Sequence, residues 1–215
     1  MEDISKVYPK MFMWLFVGLL LSFGIGYYLS INTALMINVL SIGIWPIIVL
    51  ELAIAFIMGF MVKKMNTTLC IICYLIYSIV TGLTFSAIFV TFEISSIMSI
   101  FAICALIFLL LAIYGYVTKT DLSRFGTIIF ISLIGLIVGE LLNALIFKSP
   151  QAYIIFSSIG VAIFAGYIAY DVNRVKYLLS ELGEDKAAIY GAFQLYLDFI
   201  NLFIRLLELF GKNRD

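Results

Sequence analysis

The sequence contains no histidine, and only 12% of its 215 residues are charged. The absence of histidine excludes Ser-His-Asp and Cys-His catalytic triads, histidine zinc sites and histidine pH switches. Thirteen basic and thirteen acidic residues give a formal net charge of +0, so no basic field favours a nucleic-acid partner. Any chemistry must therefore use carboxylates, lysines, arginines and the backbone.

Cysteine is scarce as well, and its three residues all lie in apolar stretches. Cys70 and Cys73 have the spacing of a redox or metal motif, but no second cysteine pair and no histidine completes such a site. We therefore expect these cysteines and Cys104 to be small apolar residues of the stretches that contain them, without a disulfide framework.

Apolar residues, by contrast, make up 64% of the chain, against roughly 45–50% in an average soluble domain. Crossing ~30 Å of hydrocarbon takes about 20 apolar residues, and the charged residues divide the chain into stretches of that length. The sequence predicts an all-α polytopic membrane protein in the lipid bilayer, a single integral membrane domain over residues 1–215. The seven predicted spans are 11–29, 41–62, 67–90, 96–117, 125–147, 150–171 and 187–210.

The distribution of lysine and arginine predicts the orientation. With the N-terminus in the cytoplasm, nine basic residues fall on the inner side and four on the outer side or at the end of the last span. Seven spans then place the C-terminus outside, which the basic tail at 211–215 disfavours. A re-entrant last span, or an earlier span that fails to cross, would return the tail to the inside, and the sequence leaves these arrangements open.

Ionisable side chains within spans, or at their ends, are functional candidates because a charge at the bilayer centre costs ~2.5–3.5 kcal/mol. Six residues meet this description: Glu51, Glu140, Asp171, Asp198, Arg205 and Glu208. Asp198 lies in the middle of its span, with Asn201 three residues on along the same face. Glu140 shares a helix with Gly135 and Gly139, and one interpretation makes it a protonated acid bonded to a neighbouring helix.

Asp171 and Asp198 lie on consecutive, antiparallel spans, which can bring them together. Asp198 lies about 16 Å into its span, so a meeting requires a tilted or broken helix or a buried loop, unless the sixth helix runs on through Lys176. Two carboxyl groups in contact would share a proton and titrate as a coupled pair, and they could also hold a Ca²⁺ ion. The alternative is two unrelated acids, each paired with a lysine or arginine.

Two segments carry a family resemblance, residues 166–176 (GYIAYDVNRVK) and 191–203 (GAFQLYLDFINLF). Both resemble signatures of the Bax inhibitor family, the transmembrane Bax-inhibitor-motif family, which has bacterial members. Residues 118–123 (TKTDLS), residues 81–86 (TGLTFS) and Asn143 are similar to further family positions. The motif in the last span is the specific one. We identify the chain as a member of this family, with a bacterial origin expected.

The resemblance implies a seven-helix fold with the last helix at the centre. It implies a pH-sensitive Ca²⁺ leak channel in which the aspartate pair matches Asp171 and Asp198. A basic residue at the inner end of the second span bonds the pair in the family, and here Lys63 and Lys64 follow the matching position, Val62.

A further family contact joins a glutamate matching Glu51 to an arginine late in the last span. This chain has Glu208 at that place and Arg205 one turn earlier, where an Arg205–Glu208 pair forms easily. These three residues are the candidates for an outer restriction.

The resulting hypothesis is a Ca²⁺ leak channel of a bacterial inner membrane, with calcium as the transported or transiently bound ion and no other cofactor. The alternative is a non-conducting regulator that binds a partner membrane protein in stress protection or protease modulation. A proton-coupled transporter using Asp198 and Glu140 is a third interpretation, although the spans lack paired breaks. An enzyme is disfavoured because the spans lack a catalytic dyad.

Overall fold

The computed structural model describes residues 4–214, which form eight α-helices and no β-strand. The helices are α1 (Ile4–Ile31), α2 (Thr33–Ile42), α3 (Ile44–Met61), α4 (Thr67–Thr91), α5 (Ile94–Val117), α6 (Ser123–Leu142), α7 (Pro150–Leu182) and α8 (Glu184–Phe210). A 3₁₀ turn, Val62–Lys64, follows α3, and a π-helical turn, Asn143–Phe147, follows α6. All helices except the short α2 are long and apolar enough to cross a membrane. The predicted all-α, seven-span class is confirmed.

Local sequence accounts for several helix boundaries. Pro150 opens α7, where its fixed φ suits the first helical turn. The Asn66 side chain caps α4 by accepting a hydrogen bond from the Leu69 N–H at 2.7 Å. Gly43 and Gly183 separate neighbouring helices at φ +81° and +77°, a region that side chains rarely adopt.

The chain packs as two units. The first unit contains the residues up to Ile94, residues 175–196 and the end of the chain from Asn213; the second contains residues 95–174 and 197–212. Helices α7 and α8 contribute to both units. The α8 window is 78% buried, against 11–39% for the other six spans, as predicted for a central last helix.

In the first unit, α1 and α4 approach closely at small residues. A Cβ on Gly26 would lie 2.8 Å from the Phe85 Cβ, and a Cβ on Gly82 would lie 2.8 Å from the Ile25 Cβ. Small residues at such positions let membrane helices pack backbone to backbone.

Two contacts in the first unit place the beginning of α8 and the tail of the chain at opposite ends of α4. Near the start of α4, the Lys186 ammonium donates to the Met65 carbonyl at 2.9 Å. At the other end, the Arg214 N–H donates to the Thr91 carbonyl at 2.8 Å. Between these two contacts, α8 is an unbroken helix of 27 residues.

In the second unit, α5 and α7 are in backbone contact. A Cβ on Gly115 would lie 2.4 Å from the Ala169 carbonyl oxygen. The buried Asn173 fixes this packing, since its Nδ2 donates to the Gly115 carbonyl at 3.2 Å and its Oδ1 accepts from the Leu122 N–H at 3.2 Å. Helix α6 is the least buried span, at 11%.

Helix α7 extends well beyond the predicted span of 150–171, and the predicted loop around residues 180–186 is reduced to Gly183. A buried apolar stripe formed by Val172, Val175, Leu178 and Leu179 explains the extension. The charged residues that mark the end of a span therefore do not end the helix.

Candidate functional site

Asp171 on α7 and Asp198 on α8 form a buried carboxyl pair in the second unit. Each residue is only 5% exposed, and their side chains interact directly with each other. Asp171 precedes Gly183 by twelve residues and Asp198 follows it by fifteen, which is about 18 and 22 Å along two antiparallel helices. The broken helix or buried loop considered from the sequence is therefore unnecessary, because α7 runs on through Lys176.

The surroundings of the pair leave part of its hydrogen-bonding capacity unused. Within residues 4–214, Asp171 Oδ1 and Asp198 Oδ2 have no hydrogen-bond partner. The Tyr167 hydroxyl interacts electrostatically with both carboxyl groups. Buried polar atoms without partners are rare and commonly mark functional sites.

The positive charge that acts on Asp171 comes from Arg174, one turn further along α7. The Arg174 guanidinium also lies 5.9 Å from the centre of the Tyr170 ring. Arg174 is not among the residues predicted for the site, although its i, i+3 spacing from Asp171 was a usable signal.

The predicted inner latch, Lys63 and Lys64, lies in the 3₁₀ turn after α3, and both side chains are exposed. The Lys63 ammonium is paired with Glu181, with 2.9 Å between Nζ and Oε2. The structure therefore gives Lys63 a partner that the sequence did not predict.

The aspartate pair supplies few ligands for a metal ion. Among the residues described, no group of three or more acidic, cysteine or histidine side chains is placed to hold a metal. Ca²⁺ takes six to eight oxygen ligands. Two carboxyl groups alone are suited to brief contact with a passing ion, so the predicted calcium role of Asp171 and Asp198 stays a prediction.

A second charged cluster in the same unit centres on Arg205 of α8. Its Nη2 lies 2.7 and 2.8 Å from the two carboxylate oxygens of Glu140 on α6. Its Nη1 lies 3.2 Å from Glu208 Oε2, so the i, i+3 pair expected from the sequence is present. Ser157 of α7 donates to the same Glu208 oxygen at 2.7 Å.

Glu140 bonds a neighbouring helix, as considered from the sequence, and its partner there is Arg205. It is the carboxylate partner of an arginine, held in a two-oxygen contact. The Arg205 stem also lies against Gly160, where a Cβ would come within 3.1–3.2 Å of its Cγ, Cδ and Nε atoms.

Asn143 and Asn201 make local contacts. Asn143 is buried and stabilises the turn before α7 through two hydrogen bonds to Ser149. Its Oδ1 accepts from the Ser149 N–H at 3.0 Å, and its Nδ2 donates to the Ser149 carbonyl at 3.1 Å. Asn201 donates to the Leu197 carbonyl of its own helix at 2.7 Å. Glu51, the remaining candidate, lies on α3 in the first unit and accepts a 3.5 Å contact from the Thr84 hydroxyl.

Together these features define a polytopic α-helical membrane protein with a carboxyl pair buried between its last two helices. Residues 4–215 match the family model described as Inhibitor of apoptosis-promoting Bax1. The chain is 35% identical over 209 residues to Inner membrane protein YbhL of Escherichia coli (strain K12), covering 94% of this chain and 89% of that protein.

Two further relatives have names that state no function. An uncharacterized protein of Borreliella burgdorferi is 32% identical over 218 residues, covering 98% of this chain and 94% of that protein. An uncharacterized membrane protein of Streptococcus pyogenes serotype M1 is 36% identical over 168 residues, covering 77% and 72%. The chain belongs to the Bax inhibitor family, as its motifs predicted.

Proposed function

We propose that this membrane protein is a pH-sensitive Ca²⁺ leak channel whose gate is the Asp171–Asp198 pair. The observation that carries the proposal is the direct contact of two carboxyl groups, each 5% exposed, on the last two helices. A hydrogen bond between two carboxyl groups requires a proton on one of them. Protonation therefore decides whether the pair attracts or repels.

The repulsion is large because the pair is buried. At an effective dielectric constant of about 20, two unit charges 4 Å apart interact by about 4 kcal/mol. Loss of the shared proton would thus separate the carboxylates and the helices that carry them. The freed oxygens are ligands that Ca²⁺ prefers, so a passing ion can take the place of the proton.

The test is a flux assay in proteoliposomes that enclose a Ca²⁺-sensitive dye, scanned over pH. Wild type is expected to show a pH-dependent flux, and Asp171→Asn and Asp198→Asn a flux that no longer follows pH. Asp185→Asn is the matched control, because Asp185 lies on α8 and is exposed; it should behave as wild type. A flux that is identical and pH-independent in wild type and Asp198→Asn would contradict the gate.

An absence of flux at every pH, with a membrane protein that co-purifies, would instead favour the alternative, a non-conducting regulator. In that case the aspartate pair would serve packing. The assay therefore shows which of the two the protein binds, calcium ions or a partner membrane protein.

We further propose that the protein resides in a bacterial inner membrane with a cytoplasmic N-terminus. The E. coli relative's name supports the location, and the excess of basic residues on one side supports the orientation. Since the tail lies at the far end of α4, the C-terminus is expected outside the cytoplasm. A C-terminal reporter that is active only outside the cytoplasm tests this, and an inactive fusion would contradict it.

A further inference from the structure

Helices α6 and α7 enclose an open groove of about 550 Å³ in the second unit. Its lining is apolar apart from one serine and includes Ile128, Ser132 and Gly135 of α6 and Ile159, Ala162 and Gly166 of α7. Leu136 and Ile163, which also line the groove, are buried, whereas Ile128 and Ile159 are exposed. The groove therefore opens towards the hydrocarbon that surrounds the protein.

The two helices touch at both ends of the groove and separate between them. At one end, a Cβ on Gly126 would lie 2.6 Å from the Tyr170 hydroxyl oxygen, and at the other, a Cβ on Gly139 would lie 2.7 Å from the Phe156 ring. Between these contacts, a Cβ on Gly135 would meet no atom within 4 Å. The small residues thus bring the ends of the helices together, and the space at Gly135 stays open to a ligand.

Two arginines lie at the same end of the groove. On α6, Arg124 precedes Ile128 by four residues and therefore lies on the same face of the helix. On α7, Arg174 lies four residues after Tyr170, and its guanidinium is 5.9 Å from the centre of that ring. Because the Tyr170 hydroxyl reaches Gly126, both arginines belong to the Gly126 end.

The positive charge at this end is not consumed by nearby acids. Among residues 4–214, neither arginine takes part in an ion pair. Arg174 acts on Asp171 electrostatically, and that acid has Asp198 as its direct partner. Asp121, in the loop before α6, accepts from the Ser123 N–H at 3.0 Å and from its hydroxyl at 2.6 Å. Two guanidiniums are therefore available to a phosphate, which arginine binds in a two-point contact.

The length of the groove matches one leaflet of a bilayer. Ile128 and Leu136 are eight residues apart on α6, and Phe156 and Gly166 are ten residues apart on α7, which is about 12 and 15 Å along the helices. The hydrocarbon core is ~30 Å thick, so each leaflet contributes ~15 Å. An acyl chain that fills the groove from one side would carry its headgroup to the level of the two arginines.

We propose that the groove between α6 and α7 binds one anionic phospholipid, with an acyl chain in the groove and the phosphate at Arg124 and Arg174. An apolar helix of another protein would fill the groove but leave both guanidiniums without a counter-charge. A zwitterionic lipid brings its own cation, so it gains less from them. The site is separate from the Ca²⁺ gate in position and in ligand, and it makes the composition of the membrane a determinant of what the protein binds.

The probe is a phosphatidylglycerol with a diazirine in one acyl chain, present in trace amount around the full-length protein in phosphatidylcholine nanodiscs. After illumination, mass spectrometry of peptides locates the label. Groove residues such as Ala162 should be labelled. Replacing phosphatidylcholine by unlabelled phosphatidylglycerol should displace this label saturably, without displacing label from Phe130, which is exposed on another face of α6.

Variants test the two halves of the site. Arg124→Gln and Arg174→Gln should each weaken the binding of phosphatidylglycerol about fivefold, equivalent to about 1 kcal/mol. Gly135→Leu places a side chain in the open space and should abolish the groove label. The matched controls are Lys148→Gln, which removes an exposed cation in the turn at the other end of the groove, and Gly59→Leu, because Gly59 on α3 has equally open surroundings; both should label as wild type.

The thermal midpoint of each variant verifies folding. Groove label that unlabelled phosphatidylglycerol does not displace, or that survives in folded Gly135→Leu, would overturn the site. A dimer that Gly135→Leu dissociates would also overturn it, because a second copy would then cover the groove. If Gly135→Leu does not fold, wild-type displacement in the variant that combines both arginine substitutions would overturn the site by itself. No step measures flux, so the result does not depend on the Ca²⁺ gate.

Discussion

The second unit contains two clusters of acidic side chains with different counter-charges, a buried one at Asp198 and a half-buried one at Arg205, although these two residues are only seven positions apart on α8. Around Arg205, the carboxylates of Glu140 and Glu208 are both bonded to one guanidinium at 2.7–3.2 Å. Asp171 and Asp198 interact with each other instead, and the positive charge of Arg174 acts on Asp171 electrostatically. Within residues 4–214 both clusters contain polar atoms without a hydrogen-bond partner, Asp171 Oδ1 and Asp198 Oδ2 in the pair and Glu140 Oε1 and Arg205 Nε in the other cluster, so the clusters differ in their counter-charge.

The difference lies in what neutralises the acids. Arginine stays protonated at any pH that a protein meets, so the cluster around Arg205 is a permanent tie between α6 and α8. The aspartate pair interacts with Arg174 without a direct bond to it, so its charge can also be neutralised by a proton or a cation, both of which come and go. The first cluster is therefore suited to hold the structure, and the second to respond to pH.

Arg205→Met should give the largest effect on stability, because it leaves the half-buried carboxylates of Glu140 and Glu208 without their guanidinium partner. Loss of one partner of a fully buried ion pair lowers the free energy of unfolding by about 3–5 kcal/mol, and we expect a loss near the lower figure because these carboxylates are 28% and 19% exposed. Denaturant unfolding in detergent micelles measures the effect. Adding Glu140→Gln and Glu208→Gln to the variant should recover most of the loss, and a single variant as stable as wild type would show that the cluster is not a tie.

Ser157→Ala tests the same cluster at its edge, since the Ser157 hydroxyl donates to Glu208 at 2.7 Å. A hydrogen bond to a charged group contributes about 1.5–3 kcal/mol, and we expect a loss near the lower figure. Ser158→Ala is the matched control, because Ser158 is exposed and its hydroxyl donates to the Ile154 carbonyl of its own helix at 2.8 Å. Equal losses in the two variants would remove Ser157 from the cluster.

Asp198→Asn should change stability by about 1 kcal/mol or less at acidic pH, because asparagine has the same shape and still donates to Asp171. Its effect is on the pH dependence. In wild type, rising pH removes the shared proton and places two negative charges together, so the thermal midpoint should fall. In Asp198→Asn only one charge forms, and the fall should be smaller. Parallel midpoint-against-pH curves for the two proteins would contradict the shared proton.

The sequence was sufficient for the all-α class, for the number of spans and for the two helices that carry Asp171 and Asp198. Long apolar runs require helices in a membrane, and Asp171 and Asp198 lie in the two most characteristic segments. The length of α7 was underestimated because charges end a span without ending a helix. Val175 and Leu179 lie beyond the apolar run of the predicted span, but both are buried, and their burial keeps α7 continuous.

The partners of the charged residues were harder to predict, because they depend on how the helices rotate about their own axes. Gly139 packs against Phe156, and Gly160 receives the stem of Arg205. These contacts turn Glu140 towards Arg205, and no spacing within one helix encodes them. Contacts within one helix, such as Arg205–Glu208, were predictable because the i, i+3 spacing alone decides them.

Lys63→Ala should have the smallest effect, because the Lys63 side chain is 71% exposed and its partner Glu181 47% exposed. Exposed ion pairs contribute about 0.2–1 kcal/mol, less at high salt, so the variant should unfold as wild type in high-salt buffer. If Glu181 is the working partner, the flux should keep its pH dependence in both Lys63→Ala and Glu181→Gln. A flux that loses its pH dependence in Lys63→Ala alone would return Lys63 to the role of inner latch. Lys63, in the 3₁₀ turn after α3, would then belong with the pH-responsive acid pair and not with the fixed charged cluster.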